Sequence, residues 1–459
     1  KKRFSMSLRK GDIVEISVTD LAYGGKGVGK IDGLVILMRG GLPGDTLKVK
    51  IKRKKRNFAE AELVEVLKSS EQRIDPICSH FGLCGGCTWQ NLNYKSQLYY
   101  KTKSVKESLK HLGGFSDFEV EKILGSEDTY FYRNKMEFSF GADPDKKLIL
   151  GLHPYQNFKQ VFDLEKCYLQ SEVSNQIVEW VRDFCRKENL IPYDVREHNG
   201  FLRYLALREG KNKTEMMVNL VTDSGEFKSS ERFAGGLMKN FAQIKSVVQN
   251  INTKLANIAV GEEELSLAGE RKIQEKLGKF YFEISANSFF QTNTKQAEKL
   301  FEIVCEYAEL DGSEEVLDLY SGTGAISIFL AGKVKRVTGI EAVKDSIEDA
   351  LRNVELNSIK NCRFLLGEAR KVLSSLVQEG YSPEVIVVDP PRGGMHEKVV
   401  YSIVELKPEK IIYVSCNPAT LARDLKLLGG NGYLIKKVQP IDMFPQTYHI
   451  EAVAKLVRE

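Results

Sequence analysis

Cys416 is the side chain whose chemical type and position best suit covalent catalysis in this sequence of 459 residues. It lies in Ser415-Cys416-Asn417-Pro418, directly after an apolar segment that predicts a buried strand. A cysteine without a partner is most often a small buried apolar residue. However, open α/β sheets bind ligands at the carboxyl ends of their strands, and a thiolate there can attack an electron-poor carbon. Cys416 is therefore interpreted as a nucleophile.

A glycine turn indicates which ligand lies beside this nucleophile. Val316–Leu319 predicts a buried strand that runs into Tyr320-Ser321-Gly322-Thr323-Gly324 and then a helix. Gly322 and Gly324 let the backbone approach a ligand closely, and Glu341 ends the next predicted strand, where an acid can bind a ribose hydroxyl pair. A dinucleotide fingerprint would have a third glycine where Ser327 stands. The pattern therefore favours S-adenosylmethionine over NAD.

A thiol beside a methyl donor indicates which atom receives the methyl group. C5 of uracil is a poor nucleophile, but addition of a thiolate to C6 makes it nucleophilic, and a base must later remove the C5 proton. Transfer to an exocyclic amine needs no thiol, so Cys416 favours C5 of a uridine. The stiff loop Asp389-Pro390-Pro391-Arg392 follows another strand, where the target base would sit against the donor. Glu451, at the start of the final apolar strand, is the candidate base, and His449 is the weaker alternative.

Four further cysteines have the spacing of metal ligands. Cys78, Cys84 and Cys87 lie on one short loop with two glycines, and Cys167 is the best candidate for a distant fourth ligand. Four thiolates suit zinc and iron–sulfur clusters equally, and His80 is a competing ligand. The remaining cysteines have no such pattern and are interpreted as packing residues: Cys185, Cys305 and Cys362.

The elements that position these residues follow from the alternation of apolar and polar segments. Residues 286–459 are predicted to form an α/β Rossmann-like domain, because buried strands alternate with amphipathic helices. The methyl-donor site inferred above makes it a class I methyltransferase domain. The last two strands leave no room for a helix and should be antiparallel neighbours. The predicted strands are Glu315–Tyr320, Val337–Glu341, Arg363–Leu366, Val385–Asp389, Ile411–Ser415, Tyr433–Val438 and Ile450–Leu456.

The N-terminal part is more basic than the rest of the chain. Residues 1–69 are predicted to form an OB-like β-barrel of about five strands, with lysines on the outward face of Leu47–Lys52. Residues 1–56 contain 15 Lys and Arg against 5 Asp and Glu, whereas the whole chain has a net charge of +5. This asymmetry predicts a polyanionic partner that is contacted through the barrel. Residues 70–285 are predicted to be an α+β central domain that carries the metal cluster.

The composition excludes a membrane-spanning protein. Hydrophobic residues make up 42% and charged residues 28%, which is typical of globular domains, and no apolar run approaches the roughly 20 residues that span a bilayer. The first residues have no apolar core of signal-peptide length. We therefore expect a cytoplasmic protein, and we expect it to be a monomer.

Together these motifs resemble the RNA 5-methyluridine (uracil-5-)methyltransferase family over almost the full length. The matching segments are Asp318-Leu-Tyr-Ser-Gly-Thr-Gly324, Asp389-Pro-Pro-Arg392, Ser415-Cys-Asn-Pro418 and His449-Ile-Glu-Ala-Val453. The barrel resembles a TRAM domain, an RNA-binding module that many members acting on ribosomal RNA carry. The segment Tyr132-Arg133-Asn134-Lys135 is similar to an RNA-contacting segment of the family.

The resemblance implies roles for individual residues. Cys416 would be the nucleophile, Glu451 the base, and Asp389 would lie near both the uracil and the donor. Further contacts to the adenosyl donor are implied for Gln291, Tyr320, Glu341 and Glu368. Ala325 stands where some relatives carry Asn, so no polar contact is expected there.

The resemblance also implies a cofactor and a substrate. It implies a structural [4Fe–4S] cluster on Cys78, Cys84, Cys87 and Cys167, rather than zinc. The TRAM-like barrel and the cysteine set together favour 23S ribosomal RNA as the substrate. A tRNA T-loop uridine-C5 methyltransferase and a non-catalytic RNA-binding protein are the alternatives.

Overall fold

The computed structural model describes residues 8–255 and 258–459. Within these ranges the strands form sheets of six, seven and eight strands and one two-stranded ribbon. No helix in this part of the chain is long and apolar enough to cross a membrane. Lys1, Lys2 and Arg3, which were counted in the basic segment, lie outside the described residues.

The first sheet is a small barrel. Backbone hydrogen bonds run from Val18 N to Asp45 O and from Thr19 N to Val28 O. One bent strand therefore changes partners between β5 (Thr46–Lys54) and β3 (Gly27–Ile31). This bend closes the sheet, and the predicted barrel of about five strands is confirmed when β1 and β2 are counted as one. The strands are β1 (Ile13–Ser17), β2 (Asp20–Leu21), β3 (Gly27–Ile31), β4 (Leu34–Met38), β5 (Thr46–Lys54) and β6 (Phe58–Lys68).

The lysines of β5 face outward as predicted, but they lie opposite acidic residues. In the antiparallel register with β6, Lys48 lies opposite Glu65 and Lys50 opposite Glu62, and Lys52 Nζ is 2.9 Å from Glu62. When the acidic residues of β6 are included, residues 8–69 contain 13 Lys and Arg against 8 Asp and Glu. The acidic residues of β6 offset part of the positive charge of residues 1–56, because β6 begins just beyond that segment.

A helical segment leads from the barrel to the second sheet. It consists of α1 (Tyr94–Ser108), a π-helical turn (Leu109–Gly113) and β7 (Glu119–Val120). The side chain of Asn93 accepts a hydrogen bond from Ser96 N and caps α1. β7 pairs with the eight-stranded sheet, so this segment packs with the C-terminal part of the chain although it precedes the central sheet.

The central sheet has mixed topology, with β12 and β13 parallel and its other pairs antiparallel. Helices α2 and α3 bury Val181 and Phe233 in the core formed with it. This region contains β8 (Lys135–Ala142), β9 (Leu148–Leu152), β10 (Phe162–Asp163), α2 (Glu172–Lys187), β11 (Leu202–Gly210), β12 (Glu215–Thr222), α3 (Ser230–Asn240), β13 (Ile244–Ile251) and β14 (Glu263–Gly269). The ribbon β15 (Ile273–Leu277) and β16 (Phe280–Ile284) follows.

The third sheet is a doubly wound α/β sheet with the order β19-β18-β17-β20-β21-β23-β22-β7. Its elements are α4 (Thr294–Ala308), β17 (Glu315–Leu319), α5 (Ala325–Ala331), β18 (Arg336–Glu341), α6 (Lys344–Leu356), β19 (Cys362–Leu366), α7 (Ala369–Gln378), β20 (Val385–Val388), α8 (Glu397–Leu406), β21 (Lys410–Ser415), α9 (Pro418–Gly429), β22 (Tyr433–Ile441) and β23 (Glu451–Arg458). All seven predicted strands are present, with ends that differ by a few residues. β23 lies between β21 and β22 and is antiparallel to both, as predicted for the last pair. The proposed domain boundaries at residues 69/70 and 285/286 remain predictions.

A buried ion pair connects α1 to the C-terminal sheet. Lys101 Nζ lies 2.5 Å from Asp442 Oδ1, and both side chains have 0% exposure. The same ammonium donates to Phe444 O at 2.9 Å. Removing one partner of such a pair leaves a buried charge without compensation.

Lys101→Met is therefore expected to lower the free energy of unfolding by about 3–5 kcal/mol. Lys103→Met is a matched control on the same helix, because Lys103 pairs with Asp20 at side-chain exposures of 29% and 33%. Such a part-exposed pair contributes about 0–1 kcal/mol. Urea unfolding followed by circular dichroism measures both variants, and equal small losses would contradict the importance of the Lys101 pair.

Candidate active site

The side chains predicted to react meet at the carboxyl edge of the C-terminal sheet. Strands β20 and β21 are parallel neighbours and end at Val388 and Ser415. Asp389 and Cys416 follow directly, and Asp389 N donates to the carbonyl of Leu319 at the end of β17. The predicted convergence of three strand ends at this edge is therefore present in the structure.

Cys416 and Glu451 come from antiparallel neighbours. Ser415 lies opposite Ala452 in the register of β21 with β23. One further step along this register places Cys416 opposite Glu451, the first residue of β23. Residues that lie directly opposite in such a pair have Cα atoms about 4.5–5.5 Å apart. Glu451 is only 6% exposed, and its charge acts on the Cys416 thiol in a largely dry setting.

Burial dominates the electrostatics of this edge. Burial, then the charges of Glu451 and Asp389, raise the pKa of the Cys416 thiol to about 11 against the opposing charge of Arg392. Burial raises the pKa of Asp389 to about 7. Burial and then the charge of Asp389 raise the pKa of Glu451 well above its usual value, and Arg392 again opposes. A positive charge placed among these three groups would favour their ionised forms.

Asp389→Asn is expected to raise the melting temperature at about pH 8 and to change it little at about pH 4. The pKa of Asp389 is raised from 3.8 to about 7. The folded state therefore binds this proton more tightly than the unfolded state does. The stability that this adds is fully present below the unfolded-state pKa and is lost as the pH rises through 7. The amide carries no charge and avoids that loss. Thermal unfolding of the variant and the wild type at both pH values measures the difference. A variant whose melting temperature exceeds that of the wild type only at about pH 4 would contradict the prediction.

His449 is disfavoured as the base. Arg392 Nη2 lies 2.8 Å from Nδ1 of His449, and burial followed by the Arg392 charge lowers the pKa of this histidine to about 3. An imidazole with so low a pKa is a poor proton acceptor at neutral pH. Glu451 is the base candidate that this geometry retains.

A small cavity of about 50 Å³ lies beside Asp389. Its lining includes Gln291, Tyr320 and Gly322, which the sequence predicted as donor contacts. Ser321 Oγ, also in the lining, is buried and lacks a hydrogen-bond partner within the described residues, so it is free to contact a polar ligand. Typical ligand pockets measure about 300–1,000 Å³. The cavity is therefore only part of the space that an adenosyl ligand would occupy.

The other predicted donor residues surround the glycine turn at different distances from this cavity. Glu341 accepts a hydrogen bond from Gly322 N at 3.0 Å, which fixes its carboxylate against the turn. Gly324 has φ +78, and an added Cβ would lie 3.0 Å from the ring of Phe364, so glycine is required there. Glu368 does not line the cavity and lies 3.6 Å from Lys371 with its side chain exposed. Glu368 nonetheless follows β19 at the same edge of the sheet, where Gly367 N donates to Glu341 O at 2.9 Å, and its contact with the donor remains a prediction.

The loop that carries Gln291 is held by the central sheet. Arg208, which is 3% exposed, donates to the carbonyls of Ala286 and Ser288. The side chain of Asn134 donates to Gln291 O at 2.9 Å. Asn134 was predicted only as part of an RNA-contacting segment, and Arg208 was missed. No local pattern could reveal either role, because both partners are more than 70 residues distant in the sequence.

The four metal-like cysteines line one cavity of about 570 Å³. Across residues 8–255 and 258–459, however, no group of three or more His, Cys, Asp or Glu has an arrangement that could hold a metal ion. His80 Nε2 accepts a hydrogen bond from Glu165 N at 3.0 Å, so this ring connects the cysteine loop to the segment of Cys167. The thiols are thus brought to a common cavity, and the cluster itself remains a prediction.

The mainly parallel sheet, its glycine turn and the pocket at its carboxyl edge are the features of a methyltransferase fold. A model of the tRNA (Uracil-5-)-methyltransferase family matches residues 93–459, and a TRAM-domain model matches residues 8–64. The chain therefore belongs to this family of S-adenosylmethionine-dependent RNA uracil-5-methyltransferases, and the prediction of a TRAM domain is confirmed.

Individual relatives agree with this assignment. The chain is 40% identical to an uncharacterized RNA methyltransferase of Chlorobaculum tepidum, with 97% of this chain and 96% of that protein covered. It is 38% identical to an RNA methyltransferase of Halalkalibacterium halodurans, with 98% of each covered. A solved structure, the Pyrococcus abyssi tRNA (uracil-54, C5)-methyltransferase in complex with S-adenosyl-L-homocysteine, superposes with a TM-score of 0.77 and 31% identity. That match covers 97% of this chain and 100% of the archaeal chain.

Proposed function

We propose that this enzyme methylates C5 of a uridine in 23S ribosomal RNA, with Cys416 as the nucleophile and Glu451 as the base. The observation that carries the proposal is the register of β21 with β23, which continues to a pairing of Cys416 with Glu451. S-adenosylmethionine, when bound, supplies the methyl group and a positive charge at this edge. Such a charge favours the thiolate form of Cys416 and the carboxylate form of Glu451.

The steps use the side chains at the sheet edge. The Cys416 sulfur bonds to C6 of uracil, and the electron pair of the C5–C6 double bond moves towards O4. C5 then takes the methyl group as the sulfur–methyl bond of the donor breaks, and the electron pair of that bond stays on the donor sulfur. The Glu451 carboxylate removes the C5 proton, the double bond forms again, and the bond between sulfur and C6 breaks to release the thiolate. Asp389, next to both groups, orients the uracil against the donor.

The donor pocket has residues that suit an adenosyl ligand. Glu341 beside Gly322 would bind a ribose hydroxyl group through Oε2, which keeps a free lone pair after it accepts from Gly322 N, whereas Oε1 already accepts from two backbone N–H groups. Gln291 and Tyr320, which both line the cavity, would contact the rest of the donor. Phe289, which is also in the lining, is 64% exposed, so a change of its rotamer would enlarge the entrance at little cost in packing.

A [4Fe–4S] cluster on Cys78, Cys84, Cys87 and Cys167 belongs to the same proposal. Its support is the common cavity that these thiols line, together with their number, because a [4Fe–4S] cluster takes four cysteine thiolates. The cluster would fasten the cysteine loop to the segment of Cys167 and would take no part in methyl transfer. Iron and sulfide analysis of anaerobically purified protein tests this assignment, and colourless protein that contains zinc would refute it.

Ribosomal RNA is favoured by the TRAM barrel together with the cysteine set, which the family resemblance associates with ribosomal substrates. The second candidate is a tRNA uridine, favoured by the similarity to the Pyrococcus abyssi enzyme along its full length. Mapping 5-methyluridine by mass spectrometry in ribosomal RNA and tRNA of a deletion strain distinguishes the two. We expect one or more 5-methyluridines to disappear from 23S ribosomal RNA, and loss from tRNA alone would overturn this substrate.

A further inference from the structure

We propose that Tyr23 of the TRAM barrel, together with Tyr448, forms an aromatic platform on which the RNA base next to the target uridine stacks. The barrel would then be a wall of the active site and would take part in substrate choice. The inference rests on the proposed function, and it adds a substrate contact that the methyltransferase domain alone does not supply.

Tyr23 lies at the mouth of the active site. Its ring contacts the ring of Tyr448 edge-on, with centroids 5.5 Å apart and an interplanar angle of 80°. The ring centroid of Tyr448 in turn lies 4.1 Å from that of His449. His449 accepts a hydrogen bond from the guanidinium of Arg392. A chain of contacts therefore runs from the barrel to the loop beside Cys416.

The turn that carries Tyr23 is firmly held. Ala22 N donates to Lys26 O at 2.8 Å, and Gly25 N donates to Ala22 O at 3.0 Å. Gly25 has φ +77, and an added Cβ would lie 3.1 Å from Trp89 Nε1, which donates to the Gly25 carbonyl. Trp89 is 3% exposed. The turn is thus fixed to the body of the enzyme, and its tyrosine is presented in a defined position.

The electrostatic surroundings of Tyr23 place it close to the reacting groups. Burial and the neighbouring Tyr448 raise the pKa of Tyr23, and the charges of Cys416 and Glu451 raise it further, whereas Arg392 lowers it. Even so, 49% of Tyr23 is exposed. The ring is therefore near the nucleophile and still accessible from solvent.

Exposed aromatic rings beside a cation are typical of sites for unpaired RNA. Bases stack on the rings while a cation such as the exposed Arg392 binds phosphate. A uridine that reaches Cys416 must leave its own stack, and the adjacent base then loses a stacking partner. Tyr23 and Tyr448 would replace that partner at the entrance.

The test compares Tyr23→Ala, Tyr23→Phe and a control, Tyr401→Ala, which removes a tyrosine of similar exposure (45%) on helix α8. Methylation is measured on a short synthetic RNA centred on the uridine mapped for the wild type. Tyr23→Ala is expected to raise KM roughly five- to a hundredfold, the loss of one base–aromatic stack. Tyr23→Phe and Tyr401→Ala should remain within about twofold of the wild type.

A second measurement separates stacking from a structural role. Two RNAs are made, each with an abasic nucleotide in place of one neighbour of the target uridine. One of the two should raise KM for the wild type, and the same RNA should leave KM for Tyr23→Ala unchanged. Unchanged KM for Tyr23→Ala, or equal sensitivity of both proteins to the abasic RNAs, would overturn the platform. If the wild type itself methylates no uridine, the proposed function fails instead, so the two failures are distinguishable.

Discussion

Cys416→Ala is expected to reduce methyl transfer to RNA by on the order of 10⁴-fold or more, because loss of a covalent nucleophile removes the whole pathway. Without sulfur at C6, C5 of uracil does not become nucleophilic enough to take a methyl group. Transfer of labelled methyl groups from S-adenosylmethionine to unmodified 23S transcripts measures the rate. Binding of S-adenosylmethionine, measured by calorimetry, should be preserved, since Cys416 does not line the donor cavity.

The control is Cys305→Ala, which removes another thiol. Cys305 lies on α4 in the hydrophobic core and is 8% exposed. This variant should methylate at the wild-type rate even if its melting temperature falls. Comparable turnover by Cys416→Ala would show that the reaction needs no covalent step.

Glu451→Gln is expected to trap the reaction after methyl transfer. The amide has the shape of the carboxylate but cannot remove the C5 proton, so sulfur stays bonded to C6 of the methylated ring. A protein–RNA band that survives denaturing electrophoresis should accumulate, while turnover falls about 10²–10⁴-fold. Digestion and mass spectrometry of the band should place the methylated uridine on Cys416.

Glu405→Gln serves as the matched control, because Glu405 is an exposed glutamate on α8. It should turn over normally and leave no stable band. If Glu451→Gln were inactive without forming an adduct, Glu451 would act before methyl transfer, for example in forming the thiolate. If it turned over normally, another group would be the base.

The C-terminal sheet was predictable because its signals are local. Each parallel strand from β17 to β21, such as Val385–Val388, is a short, mainly apolar run and is followed by a helix. Because such sheets bind ligands at the carboxyl ends of their strands, Asp389 and Cys416 could be predicted as site residues from their positions. The antiparallel final pair followed from the length of the connection alone, and it brought Glu451 into the site.

The other half of the site depends on contacts between distant parts of the chain. Arg208 and Asn134 hold the donor loop, and Tyr23 reaches the catalytic edge from the opposite end of the sequence. No pattern within a window of a few residues contains such information. The acidic partner of β5 was overlooked for a simpler reason, because the charges were counted over a segment that ended before β6 began.

The position of β23 has a consequence for how the enzyme is made. This strand follows β21 and β22 in the sequence, yet it is inserted between them. While the ribosome is still producing the residues before 451, the two flanking strands have no partner for the edges that will later enclose β23. The nascent sheet is therefore open until Glu451–Arg458 emerges, and such long-range pairing is formed late and slowly. The same insertion brings Glu451 to Cys416, so under the proposed mechanism activity would begin only once the sheet is closed.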